Sequence, residues 1–393
     1  MENLKSNPAN STPLTPIGFL ERAATVYGDC LSIVYNDTVY TWSDTYRRCL
    51  CLASSIVVSL GIKRRQVVSV VAANVPAMYE LHFAVPMAGA VLNTLNIRLD
   101  ARTISSMLHH GESKLIFVEK HYVDLVLEAI ALFPEHIPVP QLVLITDELS
   151  QSPLPVNAVN SRFYSTYEEL VERGDSGFQW LRPETEWDPI VLNYTSGTTS
   201  SPKGVVHCHR GIFLAAVDSL VEWAIPKQPV YLWTLPMFHA NGWAYPWGMA
   251  AIGGTNICLR KCDGPTIFNL IRRHGVTHMC GAPVVLNMLV EVESALYGHP
   301  AVDEAAVVAR PDDFWGESPC AFVTLKKGVT MKPTEKEIME YCREKLSHFM
   351  VPKSVVFRDE LPKTSTGKIQ KYLLKDVAKK MGSSSSSVMR RSE

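Results

Sequence analysis

Residues 67–99 read VVSVVAANVPAMYELHFAVPMAGAVLNTLNIRL. Val67–Val71 is a continuous apolar run without the alternation of a half-exposed strand. Such runs belong to strands covered on both faces, as in parallel sheets. Pro76 opens the next segment as a helix, at a position where the missing N–H is no loss. Val91–Leu95 is apolar again. Asn74, Pro76, Glu80, His82 and Pro86 interrupt the region, so it reads as a buried strand–helix–strand unit and not as a membrane span.

The alternation continues outward in both directions. Upstream, a helix is expected over Ile17–Tyr27, then strands Leu31–Tyr35 and Thr38–Thr41 around the turn Asn36-Asp37. Thr41-Trp42-Ser43-Asp44 caps a helix running to Leu60. Downstream come helix Ala101–His110, strand Leu115–Val118, helix Val123–Leu132 and strand Gln141–Thr146. After a polar connection with one helix near Tyr167–Arg173, strands are expected at Pro189–Asn193, Val230–Thr234, Thr255–Cys258 and His278–Gly281, with helices at Gly211–Trp223, Trp247–Ala251 and Gly264–His274. The texture changes near residue 290. A short helix, strands Val302–Arg310 and Ala321–Lys326, a helix opened by the capping-box pair Thr334 and Glu337, and a strand Ser354–Arg358 follow. The expected fold is α/β: a large N-terminal domain of parallel-type sheets with covering helices, incomplete, plus a small C-terminal α+β domain. The expected boundaries are a disordered leader at 1–16, the large domain at 17–289, the small domain at 290–380 and a serine-rich tail at 381–393.

With 38 Lys+Arg against 39 Asp+Glu, the formal net charge of the 393 residues is -1. That balance argues against a nucleic-acid surface, and no polybasic run marks a membrane surface. Nine cysteines are scattered without repeated spacing, so neither Cys49 and Cys51 nor Cys208 and His209 make a metal site, and a reduced intracellular protein is expected. The polar opening of the chain is not a secretory signal. Arg391-Ser392-Glu393 is not an S-K-L-type peroxisomal address. The expected location is therefore cytoplasmic, with no integral membrane contact.

Three stretches carry chemistry. Tyr194-Thr195-Ser196-Gly197-Thr198-Thr199-Ser200-Ser201-Pro202-Lys203-Gly204 lies between a strand and an apolar run. It could be a flexible linker, but loops of hydroxyls and glycines pinned between core elements wrap polyanions with N–H and O–H donors. Lys203 adds a point charge. It is not a Walker loop. Leu235-Pro236-Met237-Phe238-His239-Ala240-Asn241-Gly242 could be an aromatic core with a satisfied histidine or a pocket wall. Leu361-Pro362-Lys363-Thr364-Ser365-Thr366-Gly367-Lys368-Ile369 could be an exposed basic turn or an anion-handling loop.

Together these strings resemble the acyl-activating, adenylate-forming (AMP-dependent) synthetases, in particular plant acyl-CoA synthetases acting on short carboxylic or aromatic acids. The resemblance spans about residues 15 to 380 and includes weaker matches at Tyr40-Thr41-Trp42, Leu92–Leu99 and Trp315-Gly316-Glu317. It implies an ATP-dependent carboxylate–CoA ligase with ATP, Mg²⁺ and coenzyme A as co-substrates. Thr195, Ser196, Gly197, Thr198, Thr199, Lys203 and Gly204 would hold the phosphates. His239, Asn241, Gly242 and Trp243 would line the acyl pocket. Lys368 would be the adenylation lysine, offsetting charge as carboxylate and α-phosphate approach. The resemblance leaves the acid and the oligomeric state open.

The family's aromatic-Gly-x-Thr-Glu, Thr-Gly-Asp and Arg-x-x-Asp motifs, which would serve adenine, ribose and the hinge, are missing. Family-like sequence leads from Gly281-Ala282-Pro283 through Leu286 and Met288 to Val290, and Glu291-Val292-Glu293 already belongs to the far side of the hinge, which puts the junction at Leu289–Glu291. The gap is on the order of 150 residues, about one domain's worth. Expected consequences are impaired ligase activity and an uncovered apolar face. The competing expectations are a non-catalytic isoform that binds acyl groups, nucleotide or a partner, and a non-functional translation product. Full-length relatives could be peroxisomal.

Overall fold

The computed structural model describes residues 7, 10–146, 162–195, 202–281, 292–312, 316–329, 331–345, 351–363 and 369–381. They form two compact units, one ending at Cys280 and the other running from Gly281 apart from a short exchange at residues 263–265.

In the first unit, strands β1 (Leu31–Tyr35), β2 (Thr38–Thr41), β3 (Val67–Val71), β4 (Val91–Thr94), β5 (Leu115–Glu119), β6 (Gln141–Ile145), β7 (Ser165–Thr166), β8 (Pro189–Thr195), β9 (Lys203–Cys208), β10 (Val230–Leu232), β11 (Thr255–Ile257) and β12 (His278–Met279) build two sheets. A seven-stranded sheet has the order β7-β6-β5-β3-β4-β8-β9, and a five-stranded sheet the order β12-β10-β11-β1-β2. All neighbours are parallel except β8–β9 and β1–β2, each an antiparallel pair at a sheet edge. β9 departs from the sequence expectation, which took Val205 and Val206 as an apolar run ahead of a helix. The physical reason is a tertiary pairing: the run lies antiparallel to β8, with Asn193 opposite Val205 and Leu192 opposite Val206.

Local chemistry sets the elements. Thr41 Oγ1 accepts from Asp44 N at 3.1 Å while Asp44 Oδ2 accepts from Thr41 N at 3.1 Å, a reciprocal cap that starts helix Trp42–Val58. Helix Pro76–Met87 is apolar on all sides, and from Ala77 onward it is buried on all sides. Its one carboxylate, Glu80, accepts from Arg48 Nε at 2.6 Å, Arg48 Nη2 at 3.1 Å and Tyr167 OH at 2.7 Å. Arg48 also reaches Glu168 at 2.8 Å and lies over the Tyr40 ring at 4.5 Å. Burial pushes the Glu80 carboxyl upward against the pull of Arg48, which the pair holds firmly protonated. Where the two sheets approach, Glu119 at the end of β5 pairs with Arg260 beyond β11 at 2.7 Å.

The second unit holds β13 (Val302–Asp312), β14 (Gly316–Leu325) and β15 (Ser354–Phe357), with β13–β14 antiparallel and β14–β15 parallel. Alternate residues serve opposite faces. Ala305, Ala321 and Val323 pack with Ile338 and Cys342 of helix Glu335–Lys345. Ala306, Cys320 and Phe322 pack with Leu374 and Ala378 of helix Lys371–Lys380, a helix the sequence reading did not anticipate. Glu337 accepts from Thr334 N at 2.7 Å, completing the expected cap.

Candidate functional site

The glycine- and hydroxyl-rich stretch is carried by the β8–β9 hairpin. β8 lies parallel to β4, so Thr195 stands at its carboxyl end, where ligands of parallel α/β sheets gather. Thr195 faces Lys203 across the hairpin, and Tyr194 faces Gly204. Ser196, Gly197, Thr198 and Thr199 lie outside the described residues. Lys203 and Gly204 are exposed. Behind the hairpin, Tyr194 OH donates to Met107 O at 3.1 Å and sits 2.8 Å from His110 Nδ1. Burial pushes the Tyr194 phenol up to about 12, so it acts as a donor and not as a charge.

The second stretch folds against the same edge. Asn74, after β3, donates through Nδ2 to Trp233 O at 2.8 Å and Leu235 O at 2.9 Å, and its Oδ1 accepts from Met237 N at 2.8 Å. That clamp fixes the chain just before His239. Beyond it, Ala240, Asn241, Gly242, Trp243 and Ala244 all adopt positive φ, from 43° to 63°. Left-handed backbone costs an L residue roughly 1–2 kcal/mol, so four such non-glycine residues in a run of five need outside support. Gly242 itself has no room for a side chain, since a Cβ there would stand 2.8 Å from the Trp233 ring. Part of the support is polar: Asn241 Oδ1 accepts from Asn193 Nδ2 at 2.5 Å, and its Nδ2 donates to Thr94 Oγ1 at 3.4 Å. Thr94 in turn donates to Phe238 O at 3.1 Å. From below, Tyr79 OH donates to Pro246 O at 2.9 Å and Trp247 Nε1 to His82 O at 3.1 Å.

The fold thus joins two of the three stretches. Asn193, two residues before Thr195, holds Asn241 of the second stretch. Within that segment His239 and Trp243 are exposed, while Asn241 and Gly242 are buried. Sequence reasoning missed Asn193, Thr94 and Asn74. Their signal was available: each is a small polar residue at or just after the carboxyl end of an otherwise apolar strand.

The third stretch lies in the second unit. Lys368 falls outside the described residues, but the base of its loop is fixed. Lys363 and Ile369 form an antiparallel bridge, and Gln370 N donates to Pro362 O at 2.7 Å. Lys363 Nζ meets Glu304 Oε1 at 2.6 Å, and this hydrogen bond raises its amine above the ordinary lysine range. Both candidate anion-handling loops therefore start and end on paired backbone, one on Thr195–Lys203 and the other on Lys363–Ile369.

Comparison with known proteins agrees with these features. A family described as AMP-binding enzyme matches residues 20–349. The chain is 48% identical to a 2-methylpropanoate–CoA ligase of Humulus lupulus, with 99% of this chain and 100% of that one covered. It is 45% identical to "Probable acyl-activating enzyme 5, peroxisomal" of Arabidopsis thaliana, over 97% and 99% of the two chains. The hop alignment runs over 556 residues against 393 here, so at least 163 of its positions have no counterpart in this chain. Among solved structures, an anthranilate CoA ligase with bound anthranoyl-AMP aligns with a TM-score of 0.62 at 16% identity, covering 95% of this chain and 99% of that one. The Mycobacterium tuberculosis fatty acyl CoA synthetase aligns at 0.58 and 18% identity, covering 93% and 99%. The chain belongs to the AMP-binding enzyme family of acyl-activating ligases.

Proposed function

We propose that the chain is an ATP-dependent carboxylate–CoA ligase with reduced activity. The observation that carries this reading is the Asn193–Asn241 hydrogen bond, which sets the phosphate hairpin beside the acyl segment. In the first half-reaction a carboxylate oxygen attacks the α-phosphorus of ATP, the bond to pyrophosphate breaks, and an acyl-adenylate forms. In the second, the thiol of coenzyme A attacks the acyl carbonyl, loses its proton, and AMP departs. The hairpin from Thr195 to Gly204 would hold the phosphates, and Mg²⁺ travels with them as part of the substrate. Lys368 would offset the charge built up as two anions meet. His239 and Trp243 would face the acid, and the relative named for 2-methylpropanoate favours a short one.

Activity is reduced because the absent positions would carry the adenine platform and the ribose carboxylate. Losing such contacts costs roughly 1–3 kcal/mol each. On this reading residues 17–289 are the shortened large domain, residues 290–380 the small one, and the location is cytoplasmic. No helix among the described residues is long and apolar enough to cross a membrane.

The test is pyrophosphate release from ATP-Mg with 2-methylpropanoate and with short aromatic acids. Release that depends on acid and disappears in Lys368→Ala, at a rate roughly 100-fold or more below the hop enzyme, is the expected result. No release, together with no thermal stabilisation by ATP-Mg, would defeat it.

A second reading is a non-catalytic, partner-binding isoform. It is favoured by Leu214, Val217 and Val221, which share one exposed face of helix His209–Glu222 beside the exposed Val205 and Val206. Light scattering that showed a monodisperse complex of an otherwise inactive chain would select it.

A further inference from the structure

We propose that Asn193 and Asn241 are positioning residues through which an anion held by the β8–β9 hairpin sets the shape of the left-handed turn Ala240–Ala244. The inference rests on the ligase reading for the identity of that anion, but not for the tie itself.

Three observations meet here. First, the turn does not sustain itself. Its internal bonds are short-range, from Gly242 N to His239 O at 2.9 Å and from Ala244 N to Asn241 O at 3.0 Å. They close the turn without choosing its hand, and L residues favour the other hand. Second, the polar tie between the turn and the large sheet runs through the buried Asn241 side chain, to Asn193 at 2.5 Å and to Thr94 at 3.4 Å. The shorter of these bonds goes to the hairpin strand. Third, Asn193 stands directly opposite Val205 in a pair that continues to Thr195 and Lys203. Its Oδ1 is buried with no hydrogen-bond partner among the described residues, so one bond orients its amide. A shift of the hairpin end moves Asn193, and Asn193 is what Asn241 follows. His239 and Trp243 lie on either side of Asn241, so the exposed groups of the acyl segment would be set by what the hairpin holds. Neutral amides suit the role, because each both donates and accepts without placing a charge in a buried site.

The experiment is hydrogen exchange on the full chain with inorganic pyrophosphate as the probe, for wild type, Asn193→Ala, Asn241→Ala and the double variant. Without ligand, Asn193→Ala should speed exchange across residues 237–245 at least tenfold while leaving β3 unchanged, which shows that the fold survives. The double variant should match Asn241→Ala, which already removes the bonds to both Asn193 and Thr94. With pyrophosphate, wild type should gain protection across 237–245. Asn193→Ala should bind the probe within about threefold of wild type by calorimetry yet transmit no protection. Unchanged exchange in unliganded Asn193→Ala, or protection transmitted without Asn193, overturns the proposal. A wild-type chain that takes up no pyrophosphate sinks the phosphate role of the hairpin and ligand control of the turn with it, while the unliganded arm still decides whether the tie exists.

Discussion

Residues 31–146 and residues 203–280 share one unit, yet they finish their surfaces differently. In the first region the central strands β3, β4 and β5 are covered. Val68, Val70, Leu92, Leu115 and Phe117 are fully buried, and the carboxylate in the middle of the core is matched by an arginine fork and a tyrosine. In the second, β9 is an edge strand whose Val205 and Val206 point to opposite sides and are both exposed, and Val221 and Trp223 are 70% and 55% exposed. The difference is one of completeness of cover: β3, β4 and β5 are central strands of their sheet, and β9 is its edge. The second region precedes in sequence the junction at Leu289–Glu291, where family-like sequence jumps and where the shortfall of at least 163 positions is expected to fall.

The sharpest way to break this contrast is to damage the region that is complete. Arg48→Met leaves Glu80 buried without its cation. Removing one member of a buried pair costs about 3–5 kcal/mol, whereas replacing both by apolar groups is often near neutral. Urea unfolding should therefore show a large loss for Arg48→Met and recovery of most of it in Arg48→Met/Glu80→Leu. Equal losses in the single and double variants would mean that the packing of the arginine stem, and not the charge, matters.

Acid provides a smaller probe that separates the two regions. His82 lies in the complete region and His209 at the start of the partly exposed helix. Burial depresses both to about 4 from an ordinary value near 6.5, with Asp188 partly opposing it at His209. A histidine whose folded value is lowered is neutral in the native state, so the unfolded chain takes up the extra proton. Stability is then full above pH 6.5 and falls as pH drops toward 4. Each group should remove about 2 kcal/mol between pH 7 and pH 5. His82→Gln and His209→Asn should each flatten part of that slope, as measured by urea midpoints at the two pH values. A slope unchanged in both would place the acid sensitivity elsewhere.

Much of the fold was legible because its signals are local. The apolar run at Val67–Val71, Pro76 at a helix start, and the Thr41 and Thr334 caps each act within one turn, and the structure places each element within a residue or two of expectation. The β9 strand was not legible, since Val205-Val206 has the composition of a strand and of a helix start alike, and only its pairing with β8 decides. The candidate site divides in the same way. The hydroxyl loop, His239 and Lys368 stand out by their strings. Asn193, Thr94 and Asn74 each close an otherwise apolar strand, but their roles come from bonds to residues 48 to 163 positions away in sequence. The left-handed run at Ala240–Ala244 left no mark at all, since only one of its residues is a glycine.

The weakest perturbation tests the incomplete region most directly. Val221 sits on the exposed face of helix His209–Glu222 and Val206 on the exposed edge strand. A charge at such a position removes little packing, and surface changes away from special features usually stay within about 0.5 kcal/mol. Val206→Lys and Val221→Glu should therefore leave the urea midpoint nearly unchanged. The same charges break a contiguous apolar surface and block edge-to-edge pairing, so static light scattering at high protein concentration should fall in both variants. A loss of 2 kcal/mol or more instead would mean that these side chains are covered in solution. The two regions would then differ in what covers them and not in whether they are covered.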